Sequence, residues 1–107
     1  MTETDLTSSS FDTEIARCTE LAIVDFWAQW CGPCRMLAPV LEETARSRGD
    51  VRIFKVNVDE EEALAVRFAI NAIPALLLFK GGKPVGRLEG YRDIETLNRE
   101  IDEVLAG

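Results

Sequence analysis

The sequence predicts an α/β fold, with a central mixed β-sheet of four to five strands and helices on both faces. Three observations predict it. Between Leu21 and Val58 a buried-strand pattern, a helical pattern and a second buried-strand pattern follow one another, which calls for a parallel crossover. Between Ala75 and Glu89 two strand patterns flank Gly81-Gly82, which calls for an antiparallel hairpin. The chain then closes on an amphipathic helical stripe from Asp93 to Leu105.

Each element has its own signal. Ser10 to Arg17 reads as a short helix, with Ser9 or Ser10 as its cap and Phe11 and Ile15 four apart on one face. Leu21 to Ala28 is an almost unbroken apolar run of strand formers, as expected of a central strand covered on both sides. A helix follows to about Arg48, with Leu37, Val40, Leu41 and Thr44-Ala45 at helical spacing. Arg46 and Arg48 suit its C-terminus, Gly49 suits the residue beyond, and Pro39 inside it should kink it. Val51 to Val58 is the second buried strand. Asp59 is placed to cap a helix from Glu60, with Glu62 in a capping-box position and Leu64 and Phe68 on the buried face. Ala75 to Lys80 is a third apolar strand, and Val85 to Glu89 returns antiparallel after the Gly-Gly turn. Ile94, Leu97, Ile101, Val104 and Leu105 form the stripe of the last helix. Residues 1–8 are polar and give a weakly ordered start or a short edge strand. One domain over residues 1–107 accounts for the whole pattern, with no linker or internal repeat.

Composition narrows the function classes. The chain carries a net charge of −7, which disfavours nucleic acid and anionic membranes as partners, because both reward clustered Lys and Arg. No apolar run approaches the ~20 residues of a membrane helix. Met1 to Ser10 lacks the basic start and apolar stretch of a signal peptide, so a cytoplasmic location is expected. Histidine is absent, which removes Cys-His and Ser-His catalysis and every zinc site that needs imidazole. The three cysteines fall short of a four-thiolate cage, so no metal is expected.

Cys31-Gly32-Pro33-Cys34 stands at the junction of a buried strand and a helix. A thiolate is the species that attacks a disulfide sulfur, and a helix N-terminus offers free N–H groups and partial positive charge to stabilise one. Cys31 sits at the helix start and is expected to be the more exposed of the two. Cys34, one turn in, is placed to attack a mixed disulfide formed by Cys31. Gly32 leaves the approach open, and Pro33 fits a first helical turn because no N–H is needed there. The spacing alone also matches half of a zinc site; without a second such pair or a histidine, redox chemistry is the better reading. Cys18 is isolated and reads as a small buried apolar residue, with a regulatory thiol as the alternative.

Three blocks then carry a resemblance. The sequence Asp25-Phe26-Trp27-Ala28-Gln29-Trp30-Cys31-Gly32-Pro33-Cys34 resembles the active-site block of the thioredoxin family. Lys55-Val56-Asn57-Val58-Asp59 is similar to its central-strand block, and Ile73-Pro74-Ala75-Leu76-Leu77-Leu78-Phe79-Lys80 to its cis-proline block. The likeness runs from about Phe11 to Leu105. It implies a thioredoxin-like fold and a protein-disulfide reductase with Cys31 as nucleophile and Cys34 as resolving thiol. It further implies that Asp25 takes the proton of Cys34, that Lys55 tunes Asp25, and that Trp30, Gly32, Pro33, Ile73, Pro74 and Gly90 form the surface that receives a substrate chain. A cis Ile73–Pro74 bond rests on the resemblance alone, since only about 5–6% of X–Pro bonds in folded proteins are cis. The implied partners are disulfide-containing client proteins and a thioredoxin reductase that draws electrons from NADPH. No bound cofactor is implied, and the carrier is expected to be a monomer. Gln29, Ala75 and Asn71-Ala72 depart from the commonest family pattern without removing a group the chemistry needs.

The residues speak to part of this directly. By strand alternation Asp25 shares a face with Leu21, Ile23 and Trp27. A carboxylate there is either a strand-end group touching water or a buried acid of raised pKa, suited to accept a proton near neutrality. Lys55 interrupts the second strand on the face of Val51 and Ile53, either as that acid's neighbour or as a snorkelling surface lysine. Trp27 is expected partly beneath the site and Trp30 exposed beside Cys31.

Overall fold

The computed structural model describes residues 3–107; residues 1–2 of the polar start lie outside the described residues. The elements in chain order are β1 (Glu3–Asp5), α1 (Phe11–Arg17), β2 (Leu21–Trp27), α2 (Gly32–Ser47), β3 (Val51–Asn57), α3 (Glu62–Arg67), β4 (Ala75–Lys80), β5 (Lys83–Glu89) and α4 (Ile94–Ala106). They build a five-stranded sheet in the order β1-β3-β2-β4-β5. β1 and β2 run parallel to β3, whereas β4 runs antiparallel to both β2 and β5. The predicted crossover and hairpin are therefore both present, and the sheet is mixed.

The sheet separates two apolar clusters. On one face Ala22, Val24 and Phe26 of β2 pack with Phe11 and Ile15 of α1, Leu64 of α3 and the rings of Phe54 and Phe79. On the other, Leu21 and Ile23 pack with Leu37 and Leu41 of α2 and Leu97 and Ile101 of α4. β2 is covered on both sides, which explains its unbroken apolar sequence. The register sets Asp25 beside Lys55 of β3 and Leu76 of β4.

Of the two readings of the polar start, the short edge strand is the one present: β1 forms because parallel pairing of Glu3 with Ile53 and Asp5 with Lys55 supplies what its side chains do not. Several local expectations are corrected. Ser10 occupies the N-cap of α1 but makes no capping bond; its hydroxyl accepts the Thr7 N–H instead. Asp59 does not cap a helix. The Asn57 side chain accepts the N–H groups of Asp59 and Glu60, forming a turn that delays α3 to Glu62. Helix α2 ends on Arg48 in an extended conformation, so Gly49 is not used as a left-handed cap. Arg48 instead reaches Asp50 and Asp102, tying the end of α2 to α4. Leu105 is off the buried stripe at 38% exposure. Asp93 caps α4 by accepting the Thr96 N–H at 2.9 Å. Gly81 and Gly82 take φ of 60° and 80°, a geometry open to glycine that turns β4 into β5.

Candidate active site

β2 carries the chain out of the core and delivers it to the start of α2. Cys31 is the N-cap of α2, in an extended conformation, and its sulfur accepts the Cys34 N–H at 3.2 Å. A cysteine thus takes the role that Ser or Asp fills at most helix starts. Cys31 and Cys34 are joined as a disulfide, with Cα atoms 5.3 Å apart. Pro33 lies in the first turn, exposed, where its missing N–H costs nothing. Arg35 donates to the Gln29 carbonyl at 2.8 Å and braces the loop before the pair.

The expected contrast in exposure is small. Cys31 is 5% and Cys34 3% exposed, because the pair packs among Trp27, Ala28, Val58 and Ile73. Trp30 is exposed as expected, at 69%, and its indole N–H donates to the Asp59 carboxylate at 2.9 Å. The Ile73–Pro74 bond is cis, and the Ile73 carbonyl oxygen lies 3.8 Å from the Cys31 sulfur. A shallow hollow of about 160 Å³ beside the pair is lined by Trp30, Val58, Ile70, Asn71, Ala72 and Ile73. Trp30 and Ile73 therefore line the same hollow. Pro74 is buried behind the hollow, and Gly90, with φ of 90°, donates its N–H to the Pro74 carbonyl at 2.8 Å. Gly90 reaches the site through that bond and does not line the hollow. Sequence reasoning missed Val58, Ile70 and the role of Asp59 in holding Trp30. The similarity of Lys55 to Asp59 to a family block marked this stretch without revealing those contacts.

On the face of the sheet that α2 covers lies a buried charge system. Asp25 is 1% exposed, and among the described residues neither of its oxygens has a hydrogen-bond partner. The Lys55 ammonium stands 3.5 Å from Asp25 and 3.5 Å from Glu3. It also lies 5.1 Å from the Trp27 ring centroid. Burial raises the Asp25 pKa from 3.8 to about 6; Lys55 opposes the rise and Glu3 adds to it. An acid so placed exchanges its proton close to neutral pH. Lys55 is accordingly a neighbour of the acid, not a freely snorkelling surface group. Cys18 is buried and unpaired, and desolvation pushes its thiol pKa up. Among the described residues no group of three or more Cys, Asp or Glu side chains is placed to hold a metal ion.

A disulfide at a helix start, a cis Ile73–Pro74 bond with the Ile73 carbonyl oxygen beside Cys31, and a buried acid on the side of the sheet that α2 covers already point to redox chemistry. The family model described as Thioredoxin matches residues 2–103. This chain belongs to the thioredoxin family. It is 54% identical over 84 residues to a thioredoxin of Alicyclobacillus acidocaldarius, a match covering 78% of this chain and 80% of the relative. It is 44% identical over 101 residues to a thioredoxin of Mycobacterium bovis, covering 94% of this chain and 87% of the relative. A Staphylococcus haemolyticus thioredoxin matches at 44% identity, covering 94% and 95% respectively. The mixed five-stranded sheet is the thioredoxin fold. The protein is a protein-disulfide oxidoreductase, and the Cys31–Cys34 pair is its dithiol–disulfide carrier. Family membership brings disulfide-containing clients and a reductase as partners in general terms.

Proposed function

We propose that this chain works as a cytoplasmic, monomeric, single-domain reductant of client-protein disulfides, with unequal roles for its two cysteines. The observation that carries this reading is the Cys31 sulfur at the head of α2, accepting the Cys34 N–H. In the reduced protein the same donor and the helix N-terminus stabilise a Cys31 thiolate. That thiolate attacks a client disulfide, forming a Cys31–client bond and releasing one client thiolate. Asp25, on the α2 side of β2, takes the Cys34 proton, directly or through water. The Cys34 thiolate then attacks the Cys31 sulfur and expels the second client thiolate. The client gains two electrons, and the chain is left as the Cys31–Cys34 disulfide. Lys55 limits how far burial raises the acid.

Trp30 and Ile73 flank the approach, and the apolar hollow between them suits an extended client segment. Gly32 and Pro33 add no bulky side chain at the pair, while Gly90 fixes the Pro74 carbonyl. The pair itself holds the electrons, so no bound cofactor is required, and a thioredoxin reductase using NADPH returns the disulfide to dithiol. No described helix is long and apolar enough to cross a membrane. Incubating the protein with a thioredoxin reductase, NADPH and insulin tests the reading. Insulin-dependent NADPH consumption is expected, and none from folded protein would refute it.

A further inference from the structure

The Lys55 ammonium is shared. It lies 3.5 Å from Asp25 and at the same distance from Glu3, a residue of the edge strand outside the motifs that marked the site. The Glu3 side chain is only 16% exposed, and its Oε1 has no hydrogen-bond partner among the described residues. That oxygen is shut off from water and has the Lys55 ammonium beside it. β1 is held at this point by its parallel register with β3 and by the Leu6 N–H donated to the Lys55 carbonyl at 2.8 Å.

We propose that Glu3 is a positioning residue for the redox reaction: from β1 it divides the Lys55 ammonium with Asp25 and leaves the proton acceptor incompletely neutralised. This rests on Asp25 serving as the proton acceptor of Cys34. A lysine devoted to Asp25 alone would favour the carboxylate and make it a weaker base; a second carboxylate on the same ammonium reverses part of that effect. Other groups around Asp25 do not substitute for Glu3. β4 presents Leu76 in register, and α2 covers this face of the sheet with apolar Leu37, its Cys34 being held in the disulfide. Asp5 is in register with Lys55 but exposed. Glu60 and Glu61 line the same polar cavity as Lys55, yet Glu60 is exposed and Glu61 accepts the Ser8 N–H at 2.9 Å. Burial of Asp25 remains the larger influence, with Glu3 acting in the same direction.

The test is a carbon-13 NMR titration of the Asp25 carboxyl in the oxidised protein, with the pH profile of mixed-disulfide resolution measured beside it. Glu3→Gln keeps the shape and removes the charge. The Asp25 midpoint is expected to move below about 6, and the acid limb of the resolution profile is expected to follow it to lower pH. Glu3→Ile gives the same shift with a residue that favours an edge strand, so the result stands even where Gln loosens β1. Asp5→Asn leaves the midpoint in place. An unmoved midpoint in folded Glu3→Ile, or an equal shift in Asp5→Asn, would overturn the proposal. Asp25→Asn separates the two ideas: retention of the acid limb there refutes Asp25 as acceptor, whereas a fixed midpoint in the Glu3 variants refutes the role of Glu3 alone.

Discussion

Asp25→Asn should stabilise the protein at neutral pH. The carboxyl is buried with no hydrogen-bond partner among the described residues, and its pKa is raised from 3.8 in the ordinary state to about 6 when folded. The folded state therefore holds this proton more tightly than the unfolded chain does. The resulting stability is fully present below about pH 3.8 and is lost as pH rises to about 6, after which ionised Asp25 weighs against folding. The pKa difference corresponds to about 3 kcal/mol at pH 7 and to about 0.5 kcal/mol at pH 4. Asparagine has no charge to lose, so it escapes this penalty. Side-chain shape and the changed partners of Lys55 add a contribution that is common to both pH values. The change in the difference between variant and wild type from pH 4 to pH 7 is the informative quantity, and it should be roughly 2–3 kcal/mol in favour of the variant. Urea unfolding of the oxidised forms measures it without interference from thiol titration. With a slope of about 1–2 kcal/mol/M, the gap between midpoints should widen by roughly 1–3 M. A pH-independent gap would refute the claim that Asp25 carries an unsolvated charge at neutrality.

Other expectations concern chemistry, core and capping. Cys31→Ser should abolish client reduction, whereas Cys34→Ser should accumulate mixed disulfides visible by intact-protein mass spectrometry; identical behaviour without trapping would contradict the division of roles. Leu97→Ala empties a fully buried position between α4 and the sheet. It should cost about 2–5 kcal/mol by denaturant titration, with insulin reduction retained under native conditions. Asp93→Ala removes the acceptor for the Thr96 N–H and should lower stability by about 1 kcal/mol, while Asp93→Asn should largely restore it.

Much of this molecule is legible in its sequence because its strongest patterns answer to burial. β2 and β4 appear as continuous apolar runs since helices or sheet neighbours cover them, and the Gly81-Gly82 turn declares itself through conformations open to glycine. The Cys31–Cys34 spacing and the carboxylate of Asp25 inside an apolar run likewise point at the site. What escapes is decided by partners distant in sequence. β1 is polar and exists through pairing with β3, a contact across some fifty positions that no local pattern encodes. Asp59 looks like a helix cap, but Asn57 captures the nearby N–H groups and Asp59 turns to Trp30 instead. The near-equal burial of the two cysteines reflects Val58 and Ile73 arriving from other elements. The cis bond before Pro74 is legible through family likeness and not through local propensity.

The sulfur cap of α2 has a consequence for turnover. Sulfur accepts the Cys34 N–H while Cys31 is in the disulfide, and a thiolate at the same place would be an even better acceptor. The helix end thus keeps a partner in both oxidation states, and in the disulfide the Cα separation of 5.3 Å is an ordinary one. Loading and unloading an electron pair then leaves the start of α2 capped. The head of that helix behaves as a terminal whose hydrogen bond is kept while covalent bonds are exchanged across it.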